Sequence, residues 1–200
     1  MEGFSYAISA VAFVAVMISW ISFAAAFMLR DSGEKTRDAE KAPKSWLGII
    51  TQGVAYAIAW AFMRRPMFSP LIDDLYVLNI GFQLFAAAIA ICSAVLTFAS
   101  IRELGKQWSL EARLVEGHDL VTTGPYSLVR HPIYTAMFGM LIATAIVWSF
   151  WWAIPFAVLV FLVGTFIRTR FEEQLLANAF NDKFAEWKAR VPALIPFLKL

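Results

Sequence analysis

Two stretches of this chain concentrate the residue types that do chemistry. Residues 117–134 read GHDLVTTGPYSLVRHPIY and hold both histidines, His118 and His131, beside Arg130 and two tyrosines, Tyr126 and Tyr134. Residues 168–176 read RTRFEEQLL, with Arg168 and Glu172 four apart. On a helix that spacing puts both side chains on one face, where they present a cation for a carboxylate and an anion for an amine. Pro132 is predicted at the first position of a helix, where a missing amide costs nothing. The amides of Ile133 and Tyr134 are then left without helical partners, and such a helix start receives anions readily. These groups together predict a pocket for an anion or a zwitterion. The types alone also suit duller roles. Arg130 and Arg168 could be interface anchors, Tyr126 and Tyr134 belt tyrosines, and His118 a loop histidine without a ligand.

The elements that must carry these residues are apolar. Of the 200 residues 60% are hydrophobic and 16% charged, and mean hydropathy is +0.65. Soluble chains average ~45–50% apolar and ~25% charged, so the expectation is an integral membrane protein. Disorder, a collagen-like fibre and a disulfide scaffold are excluded. With one cysteine, Cys92, neither an intrachain disulfide nor a Cys-based metal site arises, and no metal is expected. A net charge of +2 gives no reason to expect a nucleic-acid partner.

Uncharged runs cover residues 4–29, 46–63, 75–101 and 132–167. The first is too long, and lacks the basic start, for a cleaved leader. The last would reach about 54 Å as one helix, against a hydrocarbon core of about 30 Å. The Trp148-Ser149-Phe150-Trp151-Trp152 cluster and Pro155 divide it into a hairpin, residues 132–148 and 152–167. The predicted fold is therefore all-α, with five transmembrane helices and a cytosolic C-terminal amphipathic helix over residues 168–190. Five spans place all of the 17 Lys and Arg on one side except Arg64 and Arg65. By the positive-inside rule the N-terminus is expected outside and the C-terminus cytosolic. Gly139 and Gly164 are expected at close helix contacts. Residues 1–101 form an N-terminal unit of three spans, and residues 102–200 a core holding both chemical stretches.

Residue order adds a resemblance. Gly105-Lys106-Gln107-Trp108-Ser109, then HDLVTTGPYSLVRHPIY, RTRFEEQLL and AEWKARVPALIP resemble the isoprenylcysteine carboxyl methyltransferase family across residues 102–198. That resemblance implies a membrane methyltransferase using S-adenosylmethionine, with a lipophilic small-molecule or prenylated acceptor. It implies cofactor contacts at His118, Asp119, Leu120, Val121, Tyr126, His131, Pro132, Ile133, Tyr134 and Glu172, with Glu111 in a weaker block. Arg168 is implied to face the substrate carboxylate, and Arg130 is the second candidate catalytic residue beside it. A carboxylate acceptor, with a free pKa near ~3.5, needs no base; a thiol or amine acceptor would need one, and His131 is the candidate. A phospholipid-amine or small-thiol methyltransferase therefore stands as an alternative. Behind it come an NADPH-dependent sterol reductase-like enzyme and a non-catalytic accessory protein. No G-x-G-x-x-G occurs, so a Rossmann cofactor site is not expected.

Overall fold

A computed structural model describes residues 2–28, 38–73, 75–109, 113–115, 117 and 119–196. Its helices are α1 (Glu2–Met28), α2 (Trp46–Ala61), α3 (Tyr76–Leu104), α4 (Pro132–Trp148), α5 (Ala153–Phe180) and α6 (Asp182–Arg190). Two short strands, β1 (Asp38–Lys41) and β2 (Arg113–Val115), pair antiparallel and tie the segment after α1 to the segment after α3. The fold is otherwise helical. Three helices, α1, α3 and α5, are long and apolar enough to cross a membrane; α2 and α4 are apolar but shorter, at 16 and 17 residues.

The packing follows a small-inside, large-outside pattern. The buried face of α1 is Ser5, Ser9, Ala12, Val16, Ser19, Phe23 and Ala26, recurring every four and three residues. It meets a matching α3 face that includes Asn79, Gln83, Ala86, Ala90 and Thr97. Ile21, Val77, Val11 and Phe166 face outward. Helices in lipid associate through close packing and polar contacts, since lipid tails are as apolar as leucine. Asn79 does this between helices, donating to Ser5 Oγ at 2.8 Å and accepting from the Leu71 amide at 3.0 Å.

α2 packs chiefly along α5, and α4 along α3. The hairpin expected at residues 132–167 forms with its turn at Ser149–Trp152, but its two arms lean more on other helices than on each other. Both glycines expected at close contacts are there. A Cβ on Gly139 would stand 2.2 Å from Ser93 Oγ, and one on Gly164 would stand 2.8 Å from the Gln52 amide. Gly48 belongs with them: its Cβ would meet Arg168 Cγ at 2.4 Å.

The helix expected over residues 168–190 is not continuous. It breaks at Asn181, where φ turns positive to 45° with ψ −117°. α6 therefore folds back. Phe184 and Trp187 are buried with Tyr126 and Val191 in a second apolar cluster below the bundle. Residues 192–194 continue as a strap: the amides of Arg130 and His131 donate to the carbonyls of Pro192 (2.8 Å) and Ala193 (3.0 Å), and Thr135 Oγ1 to that of Leu194 (2.6 Å).

Candidate functional site

A cavity of about 440 Å³ opens where the loop before α4, the start of α4, the polar end of α5 and the inner faces of α1 and α2 converge. Local sequence explains how the loop reaches it. Gly124 has φ 55° and lies against Glu103, whose carboxylate accepts from Thr123 Oγ1, so the chain turns beneath the end of α3. A single 3-10 turn, Gly124–Ser127, then buries Tyr126. Pro132 opens α4 as expected. The first amide to bond back is that of Thr135, to the His131 carbonyl at 3.1 Å, so those of Ile133 and Tyr134 precede the helical ladder.

Two carboxylates organise the charges. Glu172 pairs with Arg168 Nη2 at 3.1 Å, accepts from the Tyr134 hydroxyl and lies 3.5 Å from His131 Nδ1. Glu173, next along α5, receives both Nε and Nη2 of Arg130 at 2.8 Å, Lys188 Nζ at 2.7 Å and His131 Nε2 at 3.3 Å. The His131 ring stacks on Tyr134 (centroids 5.6 Å, planes 18° apart), and the Arg168 guanidinium lies 5.1 Å over the same ring. Burial by itself would lower the pKa of His131. Its hydrogen bonds and charge contacts with Glu172 and Glu173 outweigh that and raise it above the ordinary value. A carboxylate at each nitrogen favours the doubly protonated form of the ring. Arg130, His131, Arg168 and Lys188 then face two carboxylates, and the cluster carries excess positive charge.

Asp119, Leu120, Val121, Tyr126, His131 and Pro132 line the cavity, as do Ile133, Tyr134, Arg130, Arg168 and Glu172. The structure thus brings nearly the whole expected set together. His118 and Glu111 lie outside the described residues. Arg130 differs from Arg168 in what it holds. Its three guanidinium nitrogens engage Glu173 and the carbonyls of Lys188 and Val191, so it ties α6 and the strap to the start of α4.

Several participants escaped the sequence reading. Glu173 lies in the stretch expected as a cytosolic amphipathic helix, yet its side chain is only 13% exposed. The opposite wall comes from α1 and α2, through Phe23, Phe27, Ile49, Gln52 and Tyr56. No sequence signal marks these as site residues, since α2 reads as one more apolar span. Among the described residues no group of three or more His, Cys, Asp or Glu could hold a metal ion.

A bundle with helices long and apolar enough to cross a membrane, and a cavity at its charged end, defines the class: a helical membrane protein. The family follows from comparison. The family model for phospholipid methyltransferases matches residues 82–183, and the chain belongs to that family. Among curated proteins it is similar to the cobalt-zinc-cadmium resistance protein CzcN of Cupriavidus metallidurans, 38% identical over 50% of this chain and 47% of that one. It is similar to protein-S-isoprenylcysteine O-methyltransferase B of Arabidopsis thaliana, 30% identical over 57% of this chain and 59% of that one. The human protein-S-isoprenylcysteine O-methyltransferase is 35% identical over 41% of this chain and 29% of its own length. The matches thus span between about a third and three fifths of those relatives.

Proposed function

We propose that this protein is a membrane-embedded methyltransferase that moves a methyl group from S-adenosylmethionine to the carboxylate of a lipophilic acceptor, of which a prenylated cysteine is the model. The observation that carries this reading is the cavity itself, which joins the positively charged Arg168–Glu172–His131 cluster to an apolar wall on α1 and α2.

The residues present suit the cofactor. The cavity volume lies within the ~300–1,000 Å³ typical of small-molecule sites. The Ile133 and Tyr134 amides and the surplus positive charge suit its carboxylate, Glu172 its ammonium, and Leu120, Val121 and Trp187 its ring system. When bound, S-adenosylmethionine supplies a methyl group on a positively charged sulfur. Arg168 orients the acceptor carboxylate by a charge-assisted pair, and Tyr134 and Glu172 hold that guanidinium in place. Arg130 positions the loop and the strap that close the pocket. A carboxylate oxygen attacks without losing a proton, so the chemistry rests on alignment. This favours a carboxylate over a thiol or amine acceptor: His131, the candidate base, has both nitrogens committed to carboxylates.

In this reading α1 to α5 are five spans, with the N-terminus outside and the charged end of the bundle in the cytosol. The short α2 and α4 lie against longer neighbours, and the bundle's exposed surface is apolar. Detergent-purified protein is expected to bind S-adenosylhomocysteine in calorimetry and to transfer labelled methyl to an S-prenyl-cysteine carboxylate as a base-labile ester. Folded protein that does neither would overturn the proposal.

A further inference from the structure

The outer face of α5 changes character within one turn. Phe156, Leu159, Val163 and Phe166 recur every three or four residues and are all exposed, the stripe that a spanning helix turns to lipid. The same spacing continues to Arg170, Gln174 and Ala177, which are exposed as well. Arg170 stands about 26 Å along α5 from Ala153, near the far edge of a hydrocarbon core of about 30 Å. Here α6, folded back at Asn181, meets α5, and the two border an open groove of about 360 Å³. Arg170, Glu173, Gln174 and Lys188 line it, and it shares no lining residue with the larger cavity. Its charges leave a positive surplus. Glu173 is already met by Arg130, Lys188 and the His131 ring. Lys188, its side chain 51% exposed, commits one of three ammonium donors to that carboxylate. The Arg170 guanidinium has no ion pair or hydrogen bond to any of the described residues.

We propose that the α5–α6 groove binds an anionic phospholipid, whose phosphate pairs with Arg170 and Lys188 while its chains lie along Phe166, Val163 and Leu159. The site rests on the membrane placement of α5 and not on the methyl-transfer chemistry. Two cations at the end of an apolar stripe match the two parts of one molecule, a headgroup and its acyl chains. The planar guanidinium suits two phosphate oxygens at once, and the ammonium adds a point charge. Basic pockets beside membrane helices take anionic headgroups by this means. A soluble phosphate meets the cations but leaves the stripe unused. Phosphatidylcholine brings a further cation to a rim that already holds two, so a headgroup with net negative charge is preferred.

The test titrates detergent-purified protein with phosphatidylglycerol or phosphatidylcholine of the same chains and counts bound lipid by native mass spectrometry. The parent is expected to bind its first phosphatidylglycerol about tenfold more tightly than its first phosphatidylcholine. Arg170→Gln should cut that preference about fivefold, and Arg170→Lys should keep most of it. Arg102, at the exposed end of α3, lies outside the groove. Arg102→Gln should therefore keep the preference in full. A parent that shows no preference, or an Arg170→Gln that retains it, overturns the site. An Arg102→Gln that loses as much as Arg170→Gln assigns the effect to general surface charge and overturns it too. Displacement of bound phosphatidylglycerol by millimolar inorganic phosphate assigns the groove to a soluble anion and overturns the lipid reading. Protein that shows the lipid preference yet transfers no methyl group overturns the proposed function and leaves this site standing.

Discussion

Two of the buried arginines, Arg64 and Arg168, lie at opposite ends of the bundle and do opposite things. Arg64, in the turn after α2, is 4% exposed. Among the described residues it meets neutral oxygens: its guanidinium donates to the carbonyls of Ser69 (3.2 Å), Ile146 (2.9 Å), Val147 (2.8 Å) and Ser149. The last three are end-of-helix acceptors of α4 that would otherwise lack partners. Arg168 is as deeply buried, but it pairs with a carboxylate, lies over a tyrosine ring and borders a cavity. The first arginine closes a helix end, and the second faces space a ligand can fill. Burial of a cation therefore does not mark a functional site; the difference lies in a charged partner and an open side.

The sharpest way to break this contrast is to remove Arg168. Arg168→Ala should lower methyl transfer by about 100-fold or more, the range for deleting one member of a buried charge pair. The loss should persist when rates are normalised to folded protein, since removing a buried, paired cation also lowers stability. Arg64→Ala should do the reverse, losing about 3 kcal/mol or more of stability from carbonyls stranded without donors. Its folded fraction should bind S-adenosylhomocysteine like the parent. Thermal unfolding in detergent beside calorimetry separates the two, and an Arg64 variant with normal stability but no cofactor affinity would erase the distinction.

A smaller effect is expected from Glu172→Gln, which keeps the shape but removes the charge. S-adenosylhomocysteine binding should weaken by about tenfold, as one charge-assisted contact is lost. Unaltered affinity would move the ammonium site elsewhere.

The smallest effect is a pH dependence confined to the charged end. His131 contacts Tyr134 and the carboxylates of Glu172 and Glu173, which it shares with Arg130, Arg168 and Lys188, and its pKa is raised in the folded state. Its ion pairs stabilise fully below the unfolded value near ~6.5, and that contribution is lost as pH rises through the folded one. Melting temperature should fall as pH rises above about 6.5, and His131→Asn should flatten the profile. An unchanged slope in the variant would show that another group titrates.

Much of this site was legible along the chain, and the rest was not, for identifiable reasons. The helix boundaries at Pro132 and around Trp148–Trp152 followed from proline at a helix start and aromatic residues at a break. The break at Asn181 was hidden, because an apolar period runs through it and a single residue with positive φ leaves no trace in hydropathy. The burial of Glu173 is not legible along the chain, because charge predicts exposure only until a neighbour such as α6, through Lys188, folds back onto it. Gln52 was passed over as one polar residue in an apolar span. The buried face of α2, with Gly48, Gln52, Ala55 and Ala59, is small and polar, the inverse of the pattern that marks a core in soluble proteins.

By itself the sequence determined the quantities that the backbone repeat controls. These were the apolar runs, the exposed amides at the start of α4, and the shared face of Arg168 and Glu172, because 3.6 residues per turn leave no other arrangement. Only the tertiary structure decided which helices face each other. It set Gln52 against Thr165, 113 residues apart. It brought Arg130 to Glu173 and folded the strap over the start of α4. Those contacts depend on where small residues let two helices approach, and this follows from the shapes of both surfaces together.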